Sequence, residues 1–205
     1  EIARRGVEKI RFCATSATRD AKNRELFIDG VKSRLGVAPE VISGEEEAAL
    51  SFSGATKEMS DSLAPFLVVD IGGGSTEFVI GNRSVESAKS VNIGCVRMSE
   101  RHFKSDPASH DEIEAARKDI QEAIAVAASH VDIKSAKSLI AVAGTATTVA
   151  AASLNLPAYD RYAIHLSRIS AEQTHQTSEM FLKMNRKERA ALGYMHQGRV
   201  DVIGA

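Results

Sequence analysis

An α/β fold built on a mixed sheet is predicted by three features of the sequence. Strand-like and helix-like runs alternate from residue 9 to about residue 56. Three strand-like runs then follow one another between residues 66 and 93, joined by short turns rather than helices. Helices resume after residue 109, with one more apolar strand among them. Alternation followed by consecutive strands gives a sheet with both parallel and antiparallel neighbours.

Each element has its own signal. "KIRFCAT" (9–15) reads as a strand, and "TRDAKNRELFIDGVKSRLG" (18–36) as the helix after it, closed by Gly36. "VAPEVIS" (37–43) is a second strand. It leads into a helix at "SGEEEAALSFSGA" (43–55), where Ser43 and Glu46 fit a capping box. "EMSDSLAP" (58–65) is the best linker candidate, with a break at Pro65. Strands are expected at 66–71, 75–81 and 84–93. "HDEIEAARKDIQEAIAVAASHV" (110–131) places Ile113, Ala116, Ile120, Ile124, Ala127 and Val131 on one helical stripe. Glu114 and Lys118 form an i,i+4 pair on its wet side, and Ser109 with Glu112 caps its start. "SLIAVAG" (138–144) reads as a buried strand running into a helix at "GTATTVAAAS". A strand near 162–166 and helices from Ser170 and Asn185 complete the pattern.

The 205 residues suffice to bury roughly 70% of the unfolded surface, and 43% apolar with 26% charged residues is ordinary for a soluble protein. No apolar run approaches the roughly 18 residues of a membrane-spanning helix, and no leader pattern opens the chain. Cys13 and Cys95 are isolated, as expected of reduced thiols in the cytoplasm. Neither nucleic acid nor membrane is expected as a partner; a homodimer is a possible assembly. Residues 1–34 carry nine Lys/Arg against five Asp/Glu, whereas 40–61 carry six acids against Lys57 alone. An anion between such regions would meet attraction and repulsion at chosen places, although two solvated helix faces give the same counts. The histidines show no ligand spacing, so any metal should be a hard cation held by oxygens and by substrate.

"VVDIGGGSTEFVIG" (68–81) sets three consecutive glycines between two strand-forming runs. No lysine follows as a P-loop requires, and a strand rather than a helix comes next, which excludes a dinucleotide fingerprint. What remains is a hairpin turn whose amides converge on phosphate oxygens, built by Gly72, Gly73 and Gly74, with Ser75 adding a hydroxyl. Asp70 could hold a metal-bound water. A tight turn with an Asx-type cap is the structural alternative, for which two glycines suffice.

Five stretches, "ATSATRDAKN" (14–23), "VISGEEEA" (41–48), "VVDIGGGSTE" (68–77), "NIGCVRMSERH" (92–102) and "AVAGTATTVAA" (141–151), resemble in order and spacing the exopolyphosphatase/guanosine pentaphosphate phosphohydrolase family of the actin-like ATPase superfamily. The resemblance covers nearly the whole chain. It implies an actin-like (ribonuclease H-like) fold, with residues 1–64 the last part of a first domain and 65–205 most of a second. It also implies removal of a terminal phosphate by water with Mg2+. Glu47 would then be the base, its carboxylate crowded by Glu45 and Glu46 and so shifted toward neutrality; otherwise it is an acid in a first helical turn, favoured by the dipole. Glu77, an acid among Phe78, Val79 and Ile80, falls on the second catalytic carboxylate. Arg19 would clamp phosphate or else be a surface arginine. Gly144 and Thr145 open a helix after a strand, either as an anion site or as a plain tight turn. Arg97, Arg101 and Arg199 could guide a polyanion but are equally explained as solvated.

The family's first phosphate loop is absent, and the chain starts at Glu1 and stops at "VDVIGA" in mid-pattern. It therefore reads as a piece of a two-domain protein, expected to be weakly active or inactive alone. Three functions stay open: an exopolyphosphatase acting on inorganic polyphosphate, a guanosine pentaphosphate (pppGpp) phosphatase, and a non-catalytic phosphate or nucleotide sensor.

Overall fold

The computed structural model describes residues 2–205, which divide into two compact units at Glu47/Ala48. In the first, β1 (Cys13–Ala14) pairs in parallel with β2 (Glu40–Val41), with Cys13 opposite Glu40 and Ala14 opposite Val41. The helix expected between them is two helices, α1 (Ser16–Asp20) and α2 (Arg24–Leu35). The chain is extended at Ala21 (ψ 126°), next to Asp20 and near Asn23, residue types that offer the backbone alternatives to a helix. Gly36 closes α2 in the left-handed region and gives its N–H to the Lys32 carbonyl. Both strands are shorter than the sequence suggests, because each has only the other to pair with among the described residues.

Helix α3 (Gly44–Thr56) opens at the end of the first unit. The second unit is organised by a sheet of β3 (Phe66–Ile71), β4 (Thr76–Gly81), β5 (Val85–Val91) and β6 (Ser138–Val142), in the order β5-β4-β3-β6. β3, β4 and β5 are antiparallel neighbours, while β6 runs parallel to β3, so the sheet is mixed as predicted. Period-2 alternation sorts the side chains. Phe66, Val68 and Val79 pack with Ala48 and Phe52 of α3 on one face. Leu67, Phe78, Ile80 and Val91 pack on the other with Met98 of α4 (Cys95–His102) and with Ala116 and Ala127 of α5 (His110–Ala128). Phe52 and Phe66 are each 1% exposed, and burying side chains of that size contributes about 2–3 kcal/mol apiece.

The capping box of α5 is complete: Ser109 Oγ accepts the Glu112 amide, and the Glu112 carboxylate accepts the Ser109 amide. Ile124, placed on the buried stripe by its spacing, is 40% exposed, and Glu114 meets Arg117 at 3.7 Å, one residue short of Lys118. β6 is not a buried strand. It lies at the sheet edge, and Leu139 is 66% exposed. After it come α6 (Ala143–Ser153), α7 (Arg161–Ile164), α8 (Ala171–Lys183) and α9 (Arg186–Ala190), gathered around Ala151, Phe181, Tyr194 and Val200. The strand expected near 162–166 is α7 instead, because the Asp160 carboxylate accepts the amides of Tyr162 and Ala163 and starts a helical turn. Ser170 and Asn185 cap α8 and α9 as the sequence indicates. No described helix is long and apolar enough to cross a membrane.

Candidate active site

The glycine turn between β3 and β4 is held from one side. Gly72 N–H bonds the Ser75 carbonyl at 3.0 Å and narrows the turn. The Gly72 carbonyl accepts the Cys95 amide, and the Gly73 carbonyl accepts the amides of Val96 and Arg97, all at 3.0 Å. The Gly74 carbonyl accepts Arg97 Nε at 2.7 Å. The N-terminus of α4, whose first amides have no partner within the helix, is thus satisfied by the turn. In a trans peptide the C=O and the following N–H point in opposite directions. Three carbonyls turned toward α4 therefore turn the amides of Gly73, Gly74 and Ser75 away from it. None of these three amides donates to a carbonyl among the described residues. Gly94 allows the approach: a Cβ there would lie 2.6 Å from the carbonyl carbon and oxygen of Gly73.

Two carboxylates stand on the strands that enter and leave the turn. Asp70 and Glu77 are opposite each other in the β3–β4 register, and Ser90 of β5 is opposite Glu77, so the three share a row on one face. Glu77 is 1% exposed, and its Oε1 accepts the Ser90 hydroxyl at 2.8 Å. Asp70 Oδ2 accepts the Ser51 hydroxyl of α3 at 2.5 Å. Like charges directly opposite in a sheet are unfavourable, and this pair gains from positive charge between or beside its members. Its donors are hard oxygens, a set that fits magnesium, which takes one or two carboxylates and completes its shell with water and phosphate. No group of three or more His, Cys, Asp or Glu suited to a metal occurs among the described residues.

Gly144 and Thr145 lie in the first turn of α6, just after Ala143, whose φ of 68° places a non-glycine residue in the left-handed region. Glycine is needed at the next position for another reason. Arg199 lays its guanidinium there, so that a Cβ on Gly144 would fall 1.6 Å from Nη2 and 2.1 Å from Cζ. The Arg199 side chain has no ion pair or hydrogen bond among the described residues. A cation and the positive end of a helix repel each other, and an anion drawn to both relieves that repulsion.

In the first unit, Arg19 of α1 donates from Nη1 to the Ile42 carbonyl at 2.6 Å and stands 3.7 Å from Glu47 Oε2. Glu47 is mostly buried at 19% side-chain exposure. The neighbouring Glu46 gives its amide to Ser43 Oγ and turns its carboxylate to Arg11 at 2.6 Å. Two of the three consecutive acids are thus each met by a guanidinium. Within the second unit the structure brings Asp70, Glu77 and the turn 72–75 together, and it pairs Gly144 with Arg199. Gly94, Ser51, Ser90 and the placement of Arg199 escape the sequence reading. A glycine just before a helix in "NIGCVR" was the available signal for the first; for the others, contacts across long stretches of chain leave none.

The sequence profile of the Ppx/GppA phosphatase family matches residues 2–205. The chain belongs to that family. Exopolyphosphatase 2 of Mycobacterium tuberculosis is 45% identical over 202 residues, 96% of this chain and 63% of that protein. A crystal structure of an exopolyphosphatase-like protein superposes with a TM-score of 0.96 at 46% identity, over 99% of this chain and 66% of that one. The guanosine-5'-triphosphate,3'-diphosphate pyrophosphatase of Vibrio atlanticus is 44% identical over 98 residues, 47% of this chain and 20% of that protein. The chain thus spans about 63% of the length of the first of these relatives. The actin-like α/β fold with a mixed sheet, expected from the resemblance, is that of the Ppx/GppA structures.

Proposed function

We propose that this Ppx/GppA chain is part of an exopolyphosphatase that releases terminal phosphates from inorganic polyphosphate by attack of water. The glycine turn carries the reading: three successive amides face away from α4, with a pair of carboxylates on the flanking strands. The amides of Gly73, Gly74 and Ser75 would bind the oxygens of the terminal phosphate, each charge-assisted bond contributing about 1.5–3 kcal/mol. Asp70, with Glu77 beside it, would hold magnesium. When bound, the metal supplies positive charge against the charge that spreads over the transferring phosphoryl group.

Glu47 would accept the proton of the attacking water, and Arg19, already its neighbour, would clamp phosphate oxygens with the second arm of its fork. Arg199 and the first turn of α6 would hold a further phosphate of the substrate. The name of the Mycobacterium relative supports inorganic polyphosphate as substrate. A pppGpp phosphatase is the second reading, supported by the shorter match to the Vibrio enzyme. The test is magnesium-dependent phosphate release by the full-length protein, with long-chain polyphosphate and pppGpp compared side by side. Faster turnover of polyphosphate supports the first reading and preference for pppGpp the second. Silence on both overturns the two and leaves a binding module.

A further inference from the structure

We infer that Ser51 is a positioning residue for Asp70, fixing which oxygen of that carboxylate faces a divalent cation; this rests on the proposed reading of Asp70 as the metal holder. A serine or threonine inside a helix can leave its hydroxyl in solvent or return it to the carbonyl four residues back. Thr56 of α3 does the latter, bonding the Phe52 carbonyl at 2.8 Å. Ser51, on the same helix, instead reaches to β3 and donates to Asp70 Oδ2 at 2.5 Å, the length of a charge-assisted O–H···O bond.

Its surroundings make that choice informative. Ala48, Phe52 and Ala55 of α3 build an apolar core with Phe66, Val68 and Val79, and Ser51 meets the polar end of that sheet face. The row there runs Ser90, Glu77, Asp70 and Val142 across the four strands. Each carboxylate in the row is served by one serine hydroxyl, Ser90 on Glu77 Oε1 and Ser51 on Asp70 Oδ2. A hydroxyl has one proton to give, so Ser51 occupies one side of Asp70 and leaves Oδ1 for the metal. Partners of this kind, which orient a ligand without touching the metal, typically change metal affinity 10–100-fold when removed.

The experiment is a titration with Mn2+ alone, followed by the loss of the free-ion electron paramagnetic resonance signal, on the protein and on Ser51→Ala, Ser51→Thr and Asp70→Asn. The expected result is Mn2+ binding weakened about 10–100-fold in Ser51→Ala, close to the parent in Ser51→Thr, and lost in Asp70→Asn. If Ser51→Ala does not fold, Ser51→Cys, nearly isosteric with a weak donor, should show the same weakening. Parent-like binding in Ser51→Ala with loss in Asp70→Asn overturns the inference and leaves Asp70 as the metal holder. Unchanged binding in Asp70→Asn, or none in the parent, overturns the metal reading and the inference with it.

Discussion

Arg199 packs its guanidinium directly over the Cα of Gly144, in space that any side chain at position 144 would fill. The obstacle to a methyl group there is the far end of a flexible side chain, so Gly144→Ala should displace Arg199 at little cost in stability. If that guanidinium binds substrate phosphate, Gly144→Ala and Arg199→Gln should raise the KM for polyphosphate about tenfold or more, the value of one charge-assisted bond. Steady-state kinetics of the full-length variants measures this, and an unchanged KM in both removes Arg199 from the site.

Gly94→Ala should behave in the opposite way. The added Cβ would meet the backbone of Gly73 at 2.6 Å, where neither the turn nor α4 has a flexible end to yield. Overpacking of this kind costs about 1–3 kcal/mol, and it shifts the peptides whose amides face away from α4. Thermal unfolding should show the loss, and phosphate release should fall with it. A variant as stable as the parent would mean the turn can slide along α4.

Glu47→Gln tests the base. The amide keeps the shape of the side chain but takes no proton, so turnover should drop about 10²–10⁴-fold while polyphosphate binding is kept. Single-turnover kinetics beside equilibrium binding separates the two effects. Loss of binding with turnover per bound enzyme preserved would make Glu47 a partner of Arg19 and nothing more.

Acid stability should depend on the loop before α5. Glu112 accepts the Ser105 hydroxyl and the amides of Ser109, Lys104 and Ser105, and these hold its carboxyl down from 4.5 to about 2. A folded value below the unfolded one contributes stability that is complete above about pH 4.5 and is lost as pH falls toward 2. Glu112→Gln should therefore lower the unfolding midpoint at pH 7 and flatten its decline over that window. Urea melts at pH 7, 4 and 2.5 check this; curves parallel to the parent's would contradict it.

Element order was legible because it rests on local signals. Ser109, Ser170 and Asn185 announced their helices, and the β3–β4–β5 meander followed from alternating runs around Gly72–Gly74 and Gly81. Misreadings arose where tertiary position overrides pattern. Leu139 sits in an apolar run but on an edge strand, and the run at 162–166 is claimed by the Asp160 cap. The candidate site was legible in part. The three glycines implied amides facing a ligand, but only the structure shows that their carbonyls are tied down by α4. Ser51 gave no sign in the sequence and Arg199 stood there only as one of three arginines that could meet a polyanion, since what distinguishes both is a contact with a distant segment.

In the proposed site the amides of Gly73, Gly74 and Ser75 receive a phosphate. An 15N–1H correlation spectrum of the protein titrated with inorganic triphosphate and magnesium tests it most directly. These three amides should shift together and saturably, with Gly144 following at the α6 end. Shifts confined to other residues, with 73–75 unmoved at saturation, would contradict it.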